Sequence, residues 1–240
     1  MRSRPWRKRP ALFLPMLLLS CTSNIPAVIL VCASTNTSEA CTPQTAGDVF
    51  DTAYLNDPHL APGALFVVIR AVAGGHHPTQ EVHVVEPRFP KPVDQGIFAS
   101  WQRDGRRRVV DAVDGQVAIQ DPVDLVPALA EAAHVKEQLG PRETGRLIVA
   151  ASGLELGDVI PAGHYPTADQ FIEAERKRKV VPDLGMFQQI IYCGFDRSST
   201  STELADQRDL LWYEATLRWG GPAPRILPSC ADLPQTGSTP

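Results

Sequence analysis

The short motifs that most often mark an active site are missing from this 240-residue chain. There is no glycine loop of the phosphate-cradling kinds, because Gly74-Gly75 leads into histidines and Pro78 rather than into a helix N-terminus. Ser152 precedes Gly153 but has no glycine two residues before it, which excludes the strand-to-helix elbow of serine hydrolases. No repeat period is present. The five cysteines are too thinly spread for a disulfide scaffold. Cys193 ends an apolar run and reads as a buried structural thiol. Without these motifs, common nucleotide-binding and acyl-transfer chemistries lose their sequence support.

Acidic residues are absent from the first 33 positions, where Arg2, Arg4, Arg7, Lys8 and Arg9 precede the apolar run Ala11 to Leu19. A charged start before a short greasy stretch reads as an export leader, excluded from the fold. Leu18-Leu19-Ser20-Cys21 resembles the lipobox of bacterial lipoproteins, and that resemblance implies lipidation at Cys21. Two other readings stay open. One is ordinary cleavage after Val31-Cys32-Ala33 or Ser38-Glu39-Ala40, both small-residue sites. The other is an uncleaved anchor over 11–33, long enough to span a bilayer although broken by Pro15, Asn24 and Pro26. All three place the protein outside the cytoplasm, in the cell envelope or secreted.

Taking the leader's five cations from the chain's 23 leaves 18 against 27 acidic side chains, a net charge of about −9. So acidic a chain is a poor binder of nucleic acid or anionic headgroups, both of which need Lys and Arg contacts. If Cys21 and Cys32 leave or are modified, Cys41, Cys193 and Cys230 remain. Cys41 and Cys230 flank the domain, whose ends are expected to lie close together, so Cys41–Cys230 is the preferred disulfide, with free or variably paired thiols as the alternative. Asn36-Thr37-Ser38 fits the N-glycosylation pattern of eukaryotic secreted proteins.

Four segments follow: a leader at 1–33, a polar tether at 34–46, one globular domain at 47–221, and a Pro-rich tail at 222–240 expected to be disordered. The spacing predicts a short helix within Gly47–Leu60 and strands over Ala64–Ala73, Glu81–Glu86, Arg146–Ala151, Gly157–Pro161 and Phe187–Phe195. Asp104-Gly105 and Asp114-Gly115 read as type I′ turns joining Ile97–Gln102, Arg107–Val113 and Gln116–Gln120 into a three-stranded meander. Helices are predicted after the caps Asp124, Thr167 (with Gln170) and Thr200 (with Glu203). The expected fold is therefore α+β: an antiparallel sheet including the meander, packed by about three helices.

His77, Glu81, His83 and His164 are the candidate metal ligands. Glu81 and His83 are two apart on a predicted strand and share a face. These segments resemble the two cupin motifs, which implies a first-row metal held by three histidines and one glutamate. Solvent-exposed turn histidines are the alternative. Leu147 to Ala162 resembles the strand-turn-strand of small β-clip domains, which implies binding or assembly. Arg106-Arg107-Arg108 and Arg176 to Lys179 read as solvated surface, the second suited to the negative end of its helix. Leu233-Pro234-Gln235-Thr236-Gly237 is similar to a sortase signal but lacks the apolar stretch and basic end that follow one.

The sequence thus predicts an exported, envelope-associated protein with a non-catalytic binding or assembly role toward an unknown protein or envelope partner, with membrane attachment through its N-terminal segment one of the readings left open. A metal-dependent enzyme is the alternative, and no motif names a cofactor.

Overall fold

A computed structural model describes residues 26–33, 41–57, 59–71, 81–85, 94–114, 124–140, 145–153, 165–197 and 201–234. Six strands form one mixed sheet: β1 (Ala27–Cys32), β2 (Leu65–Arg70), β3 (Glu81–Val85), β4 (Gly145–Ala150), β5 (Gln189–Cys193) and β6 (Arg225–Leu227), in the order β3-β2-β1-β4-β5-β6. Only β2–β3 is antiparallel; the other pairs are parallel. Five helices cover the two faces: α1 (Pro43–Phe50), α2 (Gln95–Val113), α3 (Leu125–Leu139), α4 (Ala168–Lys177) and α5 (Thr202–Arg218). This is an α/β arrangement. The expected antiparallel α+β sheet with about three helices is incorrect.

The central strand is β1, the segment that sequence reasoning grouped with the leader. Its six residues, AVILVC, are fully buried and hydrogen-bonded between β2 and β4. A strand covered on both faces is apolar throughout, so its composition matches that of a membrane leader. Alternate residues serve two cores. Val28, Leu30 and Cys32 face α1 and α2, while Ala27, Ile29 and Val31 face the α3, α4 and α5 side.

The meander is replaced by the 19-residue helix α2. Its N-cap is Asp94, whose carboxylate accepts from Gly96 N at 2.8 Å and Ile97 N at 3.3 Å. Trp101, Gly105, Val109 and Val113 are four apart and buried on one face. Gly105 supplies no turn. It sits under Phe50 of α1, where a Cβ would lie 2.9 Å from the ring, so glycine permits helix–helix contact. Asp114 follows the helix end, donating its N–H to Val110 O at 2.7 Å.

Elsewhere the caps and strands match expectation. Asp124 caps α3, Thr167 and Gln170 form the capping box of α4, β2, β3 and β5 lie within the predicted runs, and β4 begins one residue ahead of its own. The cap of α5 is Ser201 rather than Thr200. A single π-helical turn over Asp51–Leu55 continues α1. Residues Arg225–Leu227, expected in a disordered tail, pair with β5 as an edge strand, and Cys230 behind them is buried. The predicted strands at Gln116–Gln120 and Gly157–Pro161 lie outside the described residues. Among the described residues, no helix is long and apolar enough to cross a membrane.

Candidate functional site

The strand order reverses direction between β1 and β4. From β1 the chain winds outward through β2 and β3, then returns to β4 on the other side. In open α/β sheets ligands bind outside the strand C-termini at such a reversal. Here that rim is built from small residues: Ala33 after β1, and Ala151, Ser152 and Gly153 after β4, all buried. The ladder extends onto the rim through Ala33 N to Ala150 O at 3.0 Å and Ala151 N to Cys193 O at 3.0 Å.

Arg208 and Trp212 of α5 fix this rim from beneath. Arg208 is 1% exposed, and its guanidinium donates to the carbonyl oxygens of Ser152 at 3.1 Å, Phe195 at 2.9 Å and Asp196 at 3.2 Å. It also lies 4.9 Å from the centre of the Phe195 ring. Its Nε donates to Asp209 at 3.1 Å, so the buried cation has a carboxylate as well as backbone acceptors. Trp212 Nε1 donates to Gly153 O at 3.0 Å. Gly153 has φ +77°, and a Cβ there would meet Phe195 at 2.7 Å, so its backbone conformation and its packing both require glycine.

Two disulfides join the same rim. Cys32 at the end of β1 bonds Cys41 ahead of α1, and Cys193 at the end of β5 bonds Cys230 after β6. The expected Cys41–Cys230 bridge is therefore incorrect. The two cysteines are not partners, because each is held by the buried cysteine that closes a strand. Sequence reasoning missed this by assigning Cys32 to the leader.

A second polar cluster ties α3 to α4. Asp124 accepts from Val126 N at 3.1 Å and is ion-paired with Arg178, which also holds fully buried Glu175 at 2.9 Å. Two carboxylates thus share one guanidinium. Burial foremost, and then the neighbouring Asp124 charge, raise Glu175 to about 7, against the opposing pull of Arg178.

The predicted metal ligands are not gathered into a site by the described residues. Glu81 and His83 lie on β3, opposite Arg70 and Val68, with His83 exposed. His77 and His164 lie outside the described residues, as does Cys21. Among the described residues no group of three or more His, Cys, Asp or Glu side chains is placed to hold a metal ion. Of the basic clusters, Arg106 is committed to Asp48 at 3.2 Å and Asp51 at 2.9 Å, whereas Arg176 pairs with Glu173 at 3.0 Å. The rim was invisible in sequence because its parts, Ser152-Gly153 and Arg208-x-x-x-Trp212, are common residues joined only by topology.

No protein-family model matches the chain, and no curated protein matches it.

Proposed function

We propose that this chain is an exported, envelope-associated binding or assembly module without catalytic activity, held at a membrane by lipidated Cys21. The observation that carries the reading is the position of β1. The central strand begins at Ala27 and is fully buried, so a leader compatible with this fold ends before it. Cleavage after Ala33 or Ala40 removes β1 together with Cys32, and an anchor over 11–33 draws the same strand into the bilayer. Acylation at Cys21 keeps the whole sheet, with a few residues between the attachment point and the fold. Two buried disulfides are compatible with an oxidising destination. The rim supports binding over catalysis, since Arg208 and Trp212 direct their donors to backbone carbonyls and hold a frame.

The test is the intact mass of the mature chain, with membrane fractionation of wild type and Cys21→Ala. An acylated N-terminus at Cys21, and release of the variant from membranes, are the expected results. A mature chain beginning at Ser34 or Cys41, or one retained unprocessed in the cytosol, overturns the reading.

A further inference from the structure

The last turn of α4 joins a strained backbone to a buried carboxyl. The helix closes with Lys179 N donating to Arg176 O at 3.0 Å and Val180 N donating to Glu175 O at 3.1 Å. That pair of bonds is the Schellman ending, which puts the residue after the cap in the left-handed region and favours glycine there. Here the residue is Lys179, with φ 61°, the one non-glycine residue of positive φ among the described residues. The turn is therefore held closed against its own backbone preference.

The cluster on the inner side of the turn supplies the opposing force. Glu175 is fully buried, and its Oε2 has no hydrogen-bond partner among the described residues. Its Oε1 accepts from Arg178 at 2.9 Å, and the same guanidinium pairs with Asp124 at the N-terminus of α3. Asp124 and Arg178 are the charged groups that act on Glu175. Toward α5, α4 meets Trp212 and Trp219 through Phe171, and Arg218 is committed to Asp169 at the opposite end of α4. A neutral Glu175 leaves the guanidinium to Asp124. An ionised one sets a second buried anion beside Asp124, with an oxygen that only water can satisfy. Burial, with Asp124 next, raises the group to about 7, so this change falls in the neutral range. We propose that the turn over 175–181 is a pH-operated latch: the proton on Glu175 keeps it closed over the N-terminus of α3, and loss of that proton lets Lys179 relax and the turn swing out to water. Opening withdraws Val180 from the core it packs against. The closed form holds a proton that the open form, with a carboxyl near 4.5, releases; opening therefore grows above pH 4.5 and levels off above about 7. The latch goes beyond the binding-module reading and does not depend on it.

Amide hydrogen exchange of the full chain, corrected for the intrinsic rate at each pH, tests it. Protection at Lys179 and Val180 should fall roughly tenfold or more from pH 5 to pH 8. At pH 8, low urea should leave their exchange unchanged while speeding that of Ile148 in β4, because a local opening exposes little surface. Glu175→Gln should abolish the pH dependence. Lys179→Gly, which removes the strain, should raise protection about fivefold at every pH and keep the slope. Exchange at Val180 that follows Ile148 in urea overturns the proposal, since the turn then opens only with the whole domain. A pH slope that survives Glu175→Gln, or protection that drops in Lys179→Gly, overturns it as well.

Discussion

Among the described residues, Glu175 has a protonation coupled to folding over the neutral range. Its carboxyl is fully buried against Asp124 and Arg178, and burial raises it from an ordinary 4.5 to about 7. The native state therefore holds a proton that the unfolded chain releases near 4.5. The stabilising contribution is complete below pH 4.5, declines as pH rises, and is gone above about 7. The span corresponds to roughly 3 kcal/mol. Glu175→Gln keeps an acceptor for Arg178 and removes the charge. The variant should be more stable than wild type at pH 8, and equal to it near pH 4. Thermal unfolding followed by circular dichroism across this range checks it: a wild-type midpoint that does not fall between pH 5 and 7.5 more steeply than the variant's would retire the assignment.

At the level of elements, helix caps were more legible than turns. Asp124 and the Thr167–Gln170 box are local hydrogen-bond devices, and each opens the helix predicted for it. Asp104-Gly105 misled because the dipeptide is ambiguous. The same glycine that tolerates a positive-φ turn also allows α2 to approach Phe50, and only the tertiary contact distinguishes the two. The i, i+4 spacing of Trp101, Gly105, Val109 and Val113 was readable, but its glycine hid it. If α2 is one helix capped by Asp94, then Asp94→Ala should cost about 1 kcal/mol, because two N–H donors lose their acceptor. In a meander, Asp94 would lie outside the ordered strands and its replacement would change nothing. Chemical denaturation of the two proteins separates the outcomes.

For the whole molecule, the order β3-β2-β1-β4-β5-β6 makes the fold depend on its first strand. Leader-like composition and core-strand composition are the same physical property, the avoidance of water, so hydropathy alone could not locate the boundary between them. The β-branched character of Ala27–Cys32 against the leucine-rich Ala11–Leu19 was the usable signal. Without β1, β2 and β4 have no partner between them, Cys41 has no Cys32, and each core loses three side chains. No local repair is available, since the flanking parallel strands are set about 10 Å apart by the missing one. A chain starting at Pro26 should therefore unfold cooperatively and resist proteolysis, whereas one starting at Ser34 should show no cooperative transition. Eight residues distinguish these chains, a loss that a tether would tolerate and a central strand does not. Limited proteolysis of both, beside their unfolding curves, reads the difference directly; a folded chain beginning at Ser34 would remove β1 from the centre of the domain and return the leader boundary to residue 33.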